Sequence, residues 1–244
     1  MTMWSKLKHL PTVSPWRKGK KTLTWEERLQ SYSALAKTPL TITAELVTPI
    51  IHAEQDATHI DSVLSMSALT NHPAPSAYAQ AAVIPLPLEL VWVSENGLPL
   101  WATTPLIPVD ENIEAREYWH KRYPSQRAEF GSKMAADTSA GRWREYRVPV
   151  NSKSVNTLVA LAIGNKVEIE KLLAEVSHIG KKGSMGYGRV ARWSVADADH
   201  TIDDVLSKRA VPVMFFKTEK SHTTSVRGWA PPYWYAPWWS ECVG

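Results

Sequence analysis

From residue 40 onward the hydrophobic positions switch between two periods. "LTITAELV" (40–47) alternates apolar and polar side chains as a half-buried strand does, whereas "HIDSVLSMSALTN" (59–71) brings Ile60, Val63, Leu64 and Ala68 onto one helical face. "PLELVWVSENGLPLWATTPLI" (87–107) sets two apolar runs around the turn-rich "SENGLP", which predicts a hairpin. "VNTLVALAIG" (155–164) reads as a further strand. Asn165 followed by Glu168 makes a capping-box-like start for "KVEIEKLLAEVSH" (166–178), whose Ile169, Leu172, Leu173 and Val176 share a face, and "GRVARWSV" (188–195) returns to a strand pattern.

This β-α-β-β-α-β order, interrupted by an insert at about 108–150, predicts an α+β fold of the ferredoxin-like (RRM-like) type, an antiparallel sheet covered by two helices. It leaves open which middle segments supply the second and third core strands. The expected division is a basic N-terminal arm at 1–39, the ferredoxin-like domain at 40–196 and a C-terminal extension at 197–244. Within the arm, "TWEERLQSYSALAK" (24–37) reads as a short helix with Thr24 as N-cap and Glu27 at the capping-box position. The arm is either a segment that orders on binding or a solvated basic tail.

Charge changes the picture more than composition does. The 244 residues are 44% hydrophobic, enough for a core, and the net charge is only +4. That average hides a segregation: residues 40–115 carry nine acids and no Lys or Arg, while residues 116–192 carry fifteen Lys/Arg against seven acids. Clustered cations favour a polyanion, because neutralising each phosphate releases condensed counterions. The alternative is that the acidic and basic segments face each other within the fold or across a subunit boundary. No apolar run is long enough for a signal peptide or a membrane span, and the single cysteine, Cys242, permits no internal disulfide or cysteine-based zinc site, so a reducing cytoplasm is expected.

"HIGKKGSMGYGRVARW" (178–193) holds four of the eleven glycines within nine positions. Gly180 is expected as a left-handed residue ending the second helix, while Gly183, Gly186 and Gly188 permit positive φ and close approach of another backbone. Walker A and dinucleotide fingerprints are excluded, since the loop leaves a helix C-terminus, whose dipole is negative. Any attraction for phosphate falls to Lys181, Lys182, Arg189 and exposed N–H groups, with Ser184, Met185, Gly186 and Tyr187 as neighbouring contacts. Met185 and Tyr187 either wedge against bases or pack within the loop.

The insert is the second candidate. "EYWHKRYPSQRAEFGSK" (117–133) and "GRWREYRV" (141–148) interleave Lys121, Arg122, Arg127, Lys133, Arg142, Arg144 and Arg147 with Trp119, Tyr123, Phe130, Trp143 and Tyr146, a composition suited to stacking on unpaired bases while cations take phosphates. Otherwise Trp143 and Tyr146 are core residues and the arginines ordinary surface charge. Alternation puts Arg142, Arg144 and Tyr146 on one strand face and Trp143, Glu145 and Arg147 on the other, and it points Trp193 away from Arg192, toward packing. In "VRGWAPPYWYAPWWSECVG" (226–244), Trp229 and Tyr233 are expected to fold back on the protein, leaving Trp238 and Trp239 as partner contacts.

The glycine loop between the last helix and last strand resembles that of the RAMP superfamily of CRISPR RNA-binding proteins. "ITAELVTPIIHAEQDATHIDSVLSMSAL" (42–69), with its "h-D-x-h-L" helix start, "GRWREYRVPV" (141–150) and "VRGWAPPYW" (226–234) are similar to segments of the small handle-capping RAMP subunit of type IV CRISPR effector complexes. The likeness spans about residues 40–234 and leaves the basic arm without a counterpart. It implies a non-catalytic subunit without cofactor that binds the five-prime handle of a guide RNA. Such a subunit caps a filament of backbone RAMP subunits and touches the large subunit where target DNA is admitted; direct contact with the DNA duplex stays open. Sequence reading is then left to guide pairing.

Metal chemistry has no support in the spacing, as there is no H-E-x-x-H string, and no G-x-S-x-G elbow is present. The enzyme alternative is a metal-independent RAMP endoribonuclease that processes the guide precursor, for which His120, Lys121, Tyr123 and His178 are candidates. A third alternative is a scaffold that never touches RNA.

Overall fold

The strand expected at 40–47 is β1 (Thr38–Leu46), whose inward residues Leu40, Ile42 and Ala44 are completely buried. The computed structural model describes residues 31–51, 57–70, 84–110, 113–122, 139, 144–216 and 224–244. Thr24 and Glu27 lie outside them, and the described part of the 24–37 helix ends at Ser33.

After β1 come α1 (Ile60–Thr70), β2 (Leu90–Val93), β3 (Pro99–Trp101), β4 (Ile107–Pro108), β5 (Ile113–Lys121), β6 (Tyr146–Ser154), β7 (Thr157–Gly164), α2 (Lys166–Leu173) and β8 (Val190–Asp197). The protein is α+β with antiparallel sheets and few helices. The main sheet has the order β4-β7-β1-β8, every pair antiparallel. Register places Ala160 and Val195 beside Ile42, and Leu158 and Trp193 beside Ala44, so one face is continuously apolar. Ile60, Leu64, Ile169 and Leu173 from the two helices close over it. The Ser67 hydroxyl joins the helices by donating to the Leu172 carbonyl at 2.7 Å.

The hairpin at 87–107 forms as β2 and β3, but as a sheet of its own. The segments flanking it reach the main sheet, through a bridge from Leu88 to Gly164 before it and through β4 and a bridge from Thr103 to Ala162 after it. Thr104 explains how such a short strand holds: its hydroxyl accepts the Leu161 N–H at 2.9 Å, replacing a ladder bond.

Asn165 caps α2 as expected, accepting the Glu168 N–H at 3.1 Å. The helix nevertheless stops at Leu173, short of the expected His178. Residues 177–179 are drawn instead into a small ladder with 188–190, in which Val190 N–H donates to the Ser177 carbonyl and Ile179 N–H to the Gly188 carbonyl. Gly180 therefore does not terminate the helix. At its position a Cβ would stand 2.7 Å from the Ile51 carbonyl oxygen, so the glycine is required by close packing of two chain segments, at φ +78°.

The C-terminal segment adds α3 (Ile202–Leu206), with a Thr201/Asp204 capping box, and a small sheet of β9 (Val211–Pro212), β10 (Thr224–Arg227) and β11 (Ser240–Val243) in the order β10-β11-β9. Its Trp229 and Cys242 share a second apolar cluster with Leu98 and Leu100 of the β2–β3 hairpin. One buried polar group joins this segment to the main sheet and helices. The Arg209 guanidinium donates to the carbonyls of Trp101, Thr103 and Trp229 and to the Tyr233 hydroxyl, while that hydroxyl donates to the Asp61 carboxylate at 2.8 Å. Burial pushes the Asp61 carboxyl up, against the pull of Arg209 and Tyr233. Beside them His59 stacks on Tyr233 with ring centroids 3.8 Å apart.

The opposed charge blocks do meet in part: Glu45 and Glu114 of the acidic stretch pair with Arg192 and Lys153 of the basic one, while Glu89 and Asp61 pair with Lys37 and Arg209 outside it. Among the described residues no helix is long and apolar enough to cross a membrane.

Candidate nucleic-acid interface

The glycine-rich loop is a short hairpin with a rigid base and an exposed tip. Its backbone is bound to the segment that follows β1: Lys181 N–H donates to the Ile51 carbonyl, Gly188 N–H to the Pro49 carbonyl and Arg189 N–H to the Thr48 hydroxyl. The Thr48 hydroxyl in turn donates to the Gly186 carbonyl at 2.7 Å. Gly188 is indispensable to this arrangement, since a Cβ there would fall 1.9 Å from the Ile179 carbonyl oxygen. The approaching backbone is thus the chain's own. Several loop N–H groups are consumed internally and so do not form a backbone cradle, while the side chains of Lys181, Lys182 and Arg189 are exposed.

At the tip a 3-10 turn, Gly183–Met185, presents Ser184 and Met185 to solvent, and Lys181, Lys182, Gly186 and Arg189 are exposed around it. Tyr187 is half-buried, which favours the packing role for this residue, whereas Met185 is 58% exposed.

The tip is extended by the β5–β6 hairpin, in which nine residue pairs run from Ile113↔Ser154 to Lys121↔Tyr146. Alternation divides the hairpin into two faces. On one, Glu117 accepts the Tyr187 hydroxyl at 2.7 Å, Trp119 packs against the Tyr187 ring at 6.0 Å, and the Lys182 ammonium lies 4.2 Å from the Trp119 centroid. Hydrogen bonding to the Glu117 carboxylate raises the Tyr187 phenol above its ordinary value. The other face is exposed and carries Arg116, Tyr118, His120 and Arg147, with the Arg147 guanidinium 4.1 Å from the Tyr118 centroid.

Loop and hairpin therefore bring together Lys181, Lys182, Tyr187 and Trp119, while Lys121, Arg122, Arg144 and Arg147 are exposed at the hairpin's far end. Arg127, Lys133, Arg142, Tyr123, Phe130 and Trp143 lie outside the described residues. Tyr146 is 46% exposed and is not a core residue. Arg116 and Tyr118 are new to the candidate set. They were legible, since "IEAREYWHK" alternates strictly and puts Arg116, Tyr118 and His120 on one face. Trp193 packs on the core and donates its indole N–H to the Val176 carbonyl. Trp229 and Tyr233 are buried, Trp238 is half-buried against Tyr235, and Trp239, at 37% exposure, is less open than Trp234 at 59%.

Residues 117–240, just over half of the chain, match the family model described as CRISPR type IV associated protein Csf3. The chain belongs to the Csf3 family. The match begins on β5 and runs through β6, α2, the glycine loop and the C-terminal segment, so the whole candidate interface except Arg116 falls within the part that defines this Csf3 family member. It bears out the resemblance to type IV CRISPR proteins. No curated protein matches the chain. Among solved structures it is similar to the crystal structure of Cmr6 from Pyrococcus furiosus, at 11% identity over 67% of this chain and 100% of that one, with a TM-score of 0.28, too loose a likeness to bear on fold or function.

Proposed function

We propose that this Csf3 family member is a non-catalytic, RNA-binding subunit of a type IV CRISPR ribonucleoprotein, holding the five-prime handle of the guide RNA. The observation that carries this reading is the exposed cationic tip of Lys181, Lys182 and Arg189, held in place by Thr48, Pro49 and Ile51 and joined to the aromatic hairpin at Trp119. A cationic tip on a hydrogen-bonded base, beside aromatic rings, suits a single strand, whose phosphates and bases need both. The strand order β4-β7-β1-β8, with both helices on one face and the loop before the last strand, supports the ferredoxin-like reading of the domain. The family supports a place in a type IV CRISPR assembly; capping a backbone of RAMP subunits and contacting the large subunit where DNA is admitted belong to the same proposal.

Lys181→Ala with Lys182→Ala tests it. Affinity for handle RNA should fall, and the slope of log K against log salt should flatten by about 1.4, on the order of 0.7 for each phosphate no longer neutralised. An unchanged affinity and slope would favour a scaffold without RNA contact. The non-catalytic reading is supported by the placing of His120 on the hairpin face turned away from the loop, apart from His178 at the loop base. Cleavage of repeat RNA in EDTA that is abolished by His120→Ala or His178→Ala would overturn it.

A further inference from the structure

Beside the loop base a cleft of about 420 Å³ opens between the first turns of α1 and residues 175–181. Its apolar lining comes from Ile51, Val63, Val176 and Ile179, set among polar Thr58, Ser62, Ser67 and Glu175, and Met66 and Trp234 also line it, 39% and 59% exposed. One side is backed by Tyr233, whose ring is held between His59 and the buried Asp61–Arg209 pair and so cannot swing aside. The size lies within the roughly 300–1,000 Å³ typical of small-ligand sites, as does the pairing of apolar walls with a few polar groups.

We propose that this cleft takes an unpaired nucleobase of the RNA strand whose phosphate is held by Lys181. The inference rests on the RNA-binding reading and adds a base-recognition site to it. Three features select a nucleobase. Gly180 and Lys181 belong both to the cationic loop and to the cleft wall, so a phosphate on the Lys181 ammonium leaves its own sugar and base at the opening. Trp234 offers a broad aromatic surface there, and stacking on such a ring is open to any base. Ser62, a donor and acceptor, and Glu175, an acceptor, line the same space, matching the mixed edge of a base better than a purely aliphatic side chain.

The test is an abasic scan. The full chain is titrated with a single-stranded RNA covering the handle, and with versions in which one base at a time is replaced by an abasic site. At one position base removal should weaken wild-type binding about ten-fold, the scale of one stacked base. Met66→Trp, which fills the opening, and Trp234→Ala should bind the intact RNA about ten-fold more weakly and lose little more at that abasic position. Both residues are substantially exposed, so neither change opens the core. A flat scan with saturable binding overturns the cleft proposal alone, as does an abasic penalty that persists in both variants, which would put the base elsewhere. Loss of intact-RNA affinity in the variants without any abasic position of matching effect would also overturn it, since the two residues would then act on the RNA other than through one base. An absence of saturable RNA binding by the wild type would overturn both readings.

Discussion

The Tyr187 hydroxyl donates to the Glu117 carboxylate at 2.7 Å and so fastens the glycine loop to a strand seventy residues earlier. Lys182 lies over Trp119 at the same junction, so the two candidate RNA-binding segments, the loop and the insert hairpin, form one surface. Tyr187→Phe keeps the ring and removes the tie. Amide exchange in 113–121 and 146–154 should then accelerate while the main sheet is unchanged, and RNA affinity should fall a few-fold, as expected for one hydrogen bond of about 1 kcal/mol. Exchange as slow as in wild type would mean that the ring contacts alone hold the hairpin.

The loop glycines separate by substitution to alanine. At Gly188 the new Cβ collides with the Ile179 carbonyl, whereas at Gly186, φ +91°, nothing lies within 4 Å. Gly186→Ala should therefore cost about 1–2 kcal/mol of backbone strain, and Gly188→Ala should cost clearly more and disrupt the 177–179 ladder. Thermal melts of the two variants compare them directly.

Arg209 is the residue whose loss should be felt most widely. Arg209→Met leaves the Asp61 carboxyl and the Trp101, Thr103 and Trp229 carbonyls buried without their cation. A loss of about 3–5 kcal/mol is expected in denaturant unfolding, against about 1–2 kcal/mol for Tyr233→Phe, which retains the ring on His59. Equal losses for the two variants would contradict the central position of the guanidinium.

His59 gives the fold an acid sensitivity. Burial, and then the charge of Arg209, holds this imidazole well below its ordinary value of 6.5. The unfolded chain therefore takes up a proton below about pH 6.5 that the folded one does not, so stability is full above that pH and declines as pH falls through it. The slope for one proton is at most about 1.4 kcal/mol per pH unit. Unfolding measured from pH 7.5 to 5 should show this decline, and His59→Phe should flatten it; an unaltered slope in that variant would assign the proton uptake to another group.

How much of this was legible in the chain follows the range of the interactions concerned. β1, β7, β8, the Asn165 cap and the inward turn of Trp193 all follow from period and capping chemistry, which act over a few residues. Arg116 and Tyr118 could have been found in the same way, from the alternation of "IEAREYWHK".

The remaining features depend on partners distant in sequence. Helix-favouring periodicity continues to Val176, yet α2 ends at Leu173 because the ladder between 177–179 and 188–190 offers the backbone other hydrogen bonds. Gly180 looks like a helix stop until Ile51 is seen against it, and Asp61, Arg209 and Tyr233 gain their meaning only when folding brings residues 172 positions apart into contact. Local pattern was thus sufficient for β1, β7 and β8, the start of α2 and the basic character of the loop. The loop's rigid base, its union with the hairpin and the cleft beside it arise from long-range hydrogen bonds and steric contacts, whose energies depend on approach in space and leave no period along the chain.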